Sequence, residues 1–199
     1  MAQKIGLYGG TFDPIHFGHL NLVLEMKEIV GFDEMWLIPT GINPFKVDQT
    51  VTPSHHRLEM ARLAVEDFAE LKVLDIEVKR EGITYAIDTL QEFFQESADR
   101  EYSIIIGDDA ASGFFQWKDV NKILDMVSIY VGRRSCQSRL EGLEGDPEIL
   151  EVLKQGLIQT KVLEISSTDI RRRMALGLSC SHLLPSKIID YIYINQLYC

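Results

Sequence analysis

Cysteine is scarce in this 199-residue chain: Cys136, Cys180 and Cys199 lie far apart, with no Cys-x-x-Cys pair. That excludes a disulfide framework and a zinc ribbon, and it fits a reducing compartment in which each is a small apolar filler or surface residue. Long apolar runs are absent too, and none approaches the ~20 residues that a membrane-spanning helix needs. The N-terminus runs into a strand rather than a charged-then-apolar leader, so the cytoplasm is the expected location. Cations are in deficit, 20 Lys and Arg against 30 Asp and Glu, for a net charge of −10. Charge of that sign argues against nucleic acid and anionic membranes as partners. Gly-x-x-x-x-Gly-Lys-Ser/Thr, Gly-x-Gly-x-x-Gly and His-Glu-x-x-His are all missing. The P-loop, the dinucleotide fingerprint and the common zinc-protease motif go with them.

Apolar residues make up 46% of the chain and charged residues 25%, so a core can form, and the length suits one α/β domain spanning 1–199. Apolar runs predict strands at 5–8, 35–39, 71–78, 103–106, 127–131 and 161–165. Helical patterns fall at 18–30, stopped by Gly31, at 53–65, at 85–94, at 167–176 and at 185–195, with a polar surface loop over 134–146. Such alternation implies βαβ crossovers and a Rossmann-like, doubly wound parallel sheet covered by helices on both faces, with a helical C-terminal segment. Ligands then bind beyond the carboxyl ends of the strands.

Three unusual segments fall at such ends. The first strand runs into Gly9-Gly10-Thr11-Phe12-Asp13-Pro14-Ile15-His16-Phe17-Gly18-His19. Paired glycines permit close backbone approach and unusual φ, and a helix N-terminus presents N–H donors and a positive dipole end to an anion. His16 and His19 add donors, so the segment reads as a phosphate site. A zinc site built on these two with His55 or His56 is the weaker alternative, since no carboxylate pattern supports it. The second segment is Ile106-Gly107-Asp108-Asp109. The third, Ile165-Ser166-Ser167-Thr168-Asp169-Ile170-Arg171-Arg172-Arg173, reads first as a capped helix start. Capping and anion binding are compatible there, and Arg171 can reach a polyphosphate. Consecutive arginines diverge by about 100° on a helix, so Arg172 and Arg173 are expected in solvent. In an acidic chain any phosphate must be held by a local cluster, for which Lys46, Arg57, Arg133, Arg134 and Arg171 are the candidates.

Together these segments resemble the nucleotidyltransferase superfamily and, more narrowly, the bacterial nicotinate-nucleotide adenylyltransferase family. Asn43-Pro44-Phe45-Lys46, His56-Arg57, Thr84-Tyr85-Ala86 running to Leu90, Gly107-Asp108-Asp109, Trp117 and Leu197-Tyr198 fall in that family's order along nearly the whole chain. Two positions depart from its pattern, Phe45 where histidine is usual and Ala86 where threonine is usual. The resemblance implies that the phosphate of nicotinate mononucleotide attacks the α-phosphorus of ATP, with no covalent enzyme intermediate. It also implies that His16, His19, Thr11, Phe12, Gly9 and Gly10 meet the ATP phosphates, with Ser167, Thr168 and Arg171 opposite. Gly107 and Asp109 would serve the adenosine, with Asp109 on the ribose and Asp108 turned away. Lys46, Thr84, Tyr85, Ala86 and Trp117 would bind the mononucleotide, Trp117 stacking on its pyridine ring. Mg²⁺ would ride on the ATP phosphates without a protein metal site. A homo-oligomer is compatible with the sequence. Phosphopantetheine adenylyltransferase shares both end motifs, and a silent nucleotide-binding module is the reading from another class.

Overall fold

The computed structural model describes residues 2–96, 99–133, 140 and 142–198. Along the chain run β1 (Gln3–Gly10), α1 (Phe17–Val30), β2 (Glu34–Pro39), α2 (Ser54–Val65), β3 (Leu71–Val73), α3 (Ile76–Lys79) and α4 (Ala86–Glu96). Then come β4 (Arg100–Gly107), α5 (Ala111–Phe114), α6 (Val120–Met126), β5 (Ser128–Gly132), α7 (Pro147–Gln155), β6 (Leu157–Ile158), α8 (Ser167–Ala175) and α9 (Ser186–Ile194). The strands form one sheet in the order β3-β2-β1-β4-β5-β6, and every pairing is parallel. This is the expected Rossmann-like α/β fold. Strand order reverses between β1 and β4, which opens a crevice at their carboxyl ends.

Strand periodicity sorts the core into two layers. Ile5 and Leu7 of β1, with Ile104 and Ile106 of β4, pack on Ile87, Leu90 and Phe93 of α4. Tyr8 and Ile105 face the other way, toward Leu22 and Met26 of α1, Met60 of α2, Ile170 of α8 and Ile188 of α9. Alternation of successive side chains across the sheet is what lets a short strand serve both layers. Gly31 ends α1 as expected, at φ 80 with its N–H on the Lys27 carbonyl.

Two expected strands are corrected. Only Leu71–Val73 of the 71–78 run pairs with β2, and Ile76–Lys79 turns into α3. The Glu77 carbonyl there lies against Gly41, close enough that a Cβ on Gly41 would sit 2.3 Å from it. The 161–165 run is not a strand, and the edge strand is Leu157–Ile158 on Val131 and Gly132. Its backbone is claimed by α1 instead: Asn21 Nδ2 donates to the Lys161 carbonyl at 2.6 Å, and the Lys161 N–H donates to Glu25 at 3.3 Å. Helices α5, α6 and α7 were not anticipated, although Asp146-Pro147 carries a start signal for the last. The Asp146 carboxylate accepts from the Glu148 and Ile149 N–H groups. Most of the expected loop over 134–146 lies outside the described residues, as do Arg134, Cys136 and Cys199.

Candidate active site

The loop between β1 and α1 sets the floor of a cleft of about 1090 Å³. A Cβ on Gly10 would meet the Phe12 ring at 2.6 Å, so packing demands glycine there. A Cβ on Gly9 would meet nothing within 4 Å, and Gly9 borders the cleft. Gly9 is therefore the position whose smallness leaves room for a ligand. The left-handed residue of the loop is neither glycine but Phe12, at φ 49, its ring buried in the core. His16 caps α1 and lies stacked on His19, the ring centroids 3.7 Å apart. The His16 backbone N–H donates to His19 Nδ1 at 3.3 Å. With Nδ1 accepting, a neutral His19 carries its proton on Nε2, where it is a donor. No acidic residue stands in the first turn of α1, so its positive dipole end is uncompensated from within the helix.

Across the cleft stands the start of α8. Ser166 at the N-cap makes no side-chain capping bond, so the first N–H groups are not taken by a cap. Ser167 instead donates its hydroxyl to the Pro14 carbonyl at 2.9 Å, and Arg171 Nη1 donates to the Asp13 carbonyl at 2.7 Å. These bonds stitch α8 to the β1–α1 loop and set the two helix N-termini facing one cavity. Ser167 thereby spends its proton on the scaffold, and its backbone N–H is what it offers a phosphate. Arg172 pairs with Asp169 at 2.7 Å and Arg173 donates to the Ser179 carbonyl at 2.8 Å, both away from the cleft.

Lys46 also borders the cleft, on a short 3₁₀ turn (Pro44–Lys46) capped by Asn43. Burial, and then the charge of Arg171, hold its ammonium below the usual lysine range. Arg57 was a candidate for this cationic cluster and is corrected. It is buried, and its guanidinium donates to the carbonyls of Thr52 (2.8 Å), Thr11 (2.7 Å) and Gly41 (2.9 Å). That fork ties the β1–α1 loop to two points of the β2–α2 connection, and Arg57 is not among the residues that line the cleft. Arg133 is not at the cleft either, and its Nη1 donates to Gln159 at 3.0 Å.

Gly107, Asp108 and Asp109 at the end of β4 form the adjoining wall, Asp108 buried and Asp109 exposed. The far end of the cleft is aromatic. Tyr85 and Trp117 border it with Thr84 and Ala86, and the Trp117 ring is braced by Phe114 at 4.9 Å. Thr84 is less available than expected, because its N–H donates to the Ile42 carbonyl at 3.0 Å. Apart from Arg57, Arg133 and the undescribed Arg134, the residues expected at the site line this one cleft, from Gly9 to Arg171.

Among the lining residues that had not been anticipated, four stand out. Thr40, at the end of β2, has a buried hydroxyl with no hydrogen-bond partner among the described residues. Lys118 places its ammonium 4.5 Å over the Tyr85 ring. Glu77 is buried and accepts from the Thr89 hydroxyl at 3.0 Å, and burial pushes its carboxyl above the usual range. Asp13, also buried, accepts from the Tyr198 hydroxyl at 2.6 Å. A strand-end position could have pointed to Thr40 and the first glycine–histidine segment to Asp13, whereas Lys118 and Glu77 carry no local sequence signal.

Two helix N-termini, stacked histidines and two cations gathered at the switch point of a parallel sheet define an α/β protein built to handle nucleotide phosphates. The sequence model of the Cytidylyltransferase-like family matches residues 7–173. The chain belongs to that family and, within it, to the nicotinate-nucleotide adenylyltransferases. A probable nicotinate-nucleotide adenylyltransferase of Dehalococcoides mccartyi is 37% identical over 202 residues, covering 100% of this chain and 98% of that protein. One from Flavobacterium johnsoniae is 35% identical, covering 98% and 99%. The structure of Plasmodium falciparum nicotinic acid mononucleotide adenylyltransferase complexed with NaAD superposes with a TM-score of 0.80 at 21% identity, covering 98% of this chain and 97% of that one. At that identity the likeness speaks for the fold.

Proposed function

We propose that ATP and nicotinate mononucleotide meet in this cleft and are joined there. An oxygen of the mononucleotide phosphate attacks the α-phosphorus, the bond to the β-phosphate oxygen breaks, and deamido-NAD and pyrophosphate result. The observation that carries the reading is the cleft itself. In a chain of net charge −10 it gathers two helix N-termini, Lys46 and Arg171 at one end and an aromatic wall at the other. The nucleophile is already ionised, so no general base is required, and the protein's work is alignment and charge stabilisation.

In this reading His16 and His19, with Thr11 and the backbone at Gly9, Gly10 and Phe12, hold the ATP phosphates and the charge that develops on transfer. Arg171 and the N–H groups of Ser167 and Thr168 grip the outer phosphates from across the cleft. Lys46 serves the reacting phosphates, Gly107 and Asp109 the adenosine, and Thr84, Tyr85, Ala86 and Trp117 the pyridine nucleotide. Among the described residues no three His, Cys, Asp or Glu side chains converge on a metal position. Mg²⁺ carried on phosphate oxygens and water would neutralise the triphosphate in this reading. Among the described residues no helix is long and apolar enough to cross a membrane, and the reading puts the chain in the cytoplasm.

Pyrophosphate release from ATP with Mg²⁺ tests the reading, with nicotinate mononucleotide, nicotinamide mononucleotide and phosphopantetheine offered side by side. The first acceptor should dominate, and dominance by another, or ATP binding without pyrophosphate, would replace this reading. His19→Ala should lower kcat by about 10²-fold or more with a smaller change in KM, because its donor acts on charge that appears during transfer. A folded variant with near-normal turnover would remove His19 from that role.

A further inference from the structure

We infer that Tyr198 is a positioning residue for this reaction: its hydroxyl holds the Asp13 carboxylate off Arg171 and so leaves that guanidinium to the nucleotide. The inference rests on the reading of the cleft given above.

The Asp13 carboxylate is shared between donors from distant parts of the chain. Tyr198 donates to its Oδ1 at 2.6 Å across 185 positions, and the Thr52 N–H donates to its Oδ2 at 3.3 Å. Arg171 donates from Nη1 to the Asp13 backbone carbonyl at 2.7 Å and from Nη2 to the Thr168 hydroxyl at 3.4 Å, and its ion pair with Asp13 Oδ2 is a single long contact of 3.8 Å. An aspartate and an arginine this close would ordinarily close into a forked, two-bond pair. Such a pair would spend the guanidinium on protein and set a carboxylate against an incoming triphosphate. Occupying Oδ1 from the far side prevents that rotation. The phenol is suited to the task, because burial, and then the neighbouring Asp13 charge, push its pKa upward and keep it a donor.

The tail is built to deliver this hydroxyl. Gln196 and Tyr198 are both left-handed, at φ 52 and 62, a conformation that non-glycine residues adopt only when their surroundings impose it. The imposing contacts are on α9. The Leu197 N–H donates to the Ile192 carbonyl at 3.0 Å, Leu197 and Tyr198 pack on the core, and the Tyr191 hydroxyl meets His56 Nδ1 of α2 at 2.9 Å. Strain held at a chain end and aimed at a buried carboxylate beside the cleft points to function more than to packing.

Tyr198→Phe keeps the ring and removes the donor. Its expected effect is a rise of roughly tenfold in KM for ATP, the scale of one hydrogen bond to a charged group, with kcat and KM for nicotinate mononucleotide changed far less. The dissociation constant of ATP with Mg²⁺, measured by equilibrium dialysis without acceptor, should rise in step. That measurement stands even if the acceptor is another molecule, whereas the acceptor comparison on the unaltered chain tests the reading beneath it. The tenfold effect should largely vanish in an Asp13→Asn background, where no carboxylate remains to capture Arg171. An unchanged KM for ATP, an equal effect in both backgrounds, or a Tyr198→Phe chain too unstable to assay would each overturn the positioning role.

Discussion

Lys46 shows how a single residue can carry a pH dependence for the whole reaction. Its ammonium sits half-buried beside Arg171, and burial followed by that like charge lowers its pKa from the ordinary 10.5. On the proposed reading the protonated form is the one that serves a phosphate, so the contribution is lost as pH rises through the lowered value. KM for nicotinate mononucleotide should therefore climb at pH values below the ordinary lysine 10.5, while kcat follows more weakly. Lys46→Arg, whose guanidinium stays charged over that range, should flatten the climb. A pH-independent KM in the unaltered chain would detach Lys46 from the phosphates. At this scale some of the site was legible and some was not. His16, His19 and Arg171 stand in short motifs whose chemistry can be read locally. Arg57 looked equally eligible, yet it is buried and its guanidinium is held by three carbonyls of two loops. A count of cations cannot reveal which of them the scaffold will spend.

At the scale of elements, the placement of α1 depends on contacts beneath it as well as on its own N-terminus. Leu22 lies over Gly132 of β5, and a Cβ added to Gly132 would sit 2.1 Å from Leu22 Cδ1. Leu22 is 1% exposed and cannot move out of the way without disturbing α1. Gly132→Ala should cost about 1–3 kcal/mol by overpacking and lower Tm by roughly 2–12 °C, measured by thermal unfolding. An unchanged Tm would show that α1 rides more loosely on the sheet than this packing implies. The misread strands belong to the same scale. The 161–165 run has strand-like residues, but Asn21 and Glu25 of α1 satisfy its backbone in place of a sheet neighbour. The 71–78 run loses its partner after Val73 and folds into α3. In both cases propensity was present, and the competition for backbone hydrogen bonds was decided elsewhere.

For the whole molecule, the two layers of core share one sheet, and successive residues of β1 and β4 serve opposite layers. Loss of either layer strips the apolar cover from the same strands. Thermal or urea unfolding should thus be one cooperative transition over 1–199, coincident by circular dichroism and by tryptophan fluorescence. Two separated transitions would divide the chain into independent units. The acidic balance acts at this scale too, since in a chain of net charge −10 a polyanion can be held only where local donors such as Lys46, Arg171 and the two helix N-termini are gathered.

The amino-acid sequence by itself determined the alternation of strands and helices, the acidic exterior and the two helix-start motifs. Periodicity, charge and capping are local properties, and nearby residues suffice to express them. Only the tertiary structure decided how those motifs are held together. Asp13 meets Arg171 across 158 positions and Tyr198 across 185, and Arg57 meets Thr11 across 46. Contacts at such separations follow from the crossings of the sheet and leave no period or spacing along the chain. The same crossings set His16 opposite Ser167 and bring two ordinary helix starts to one cleft.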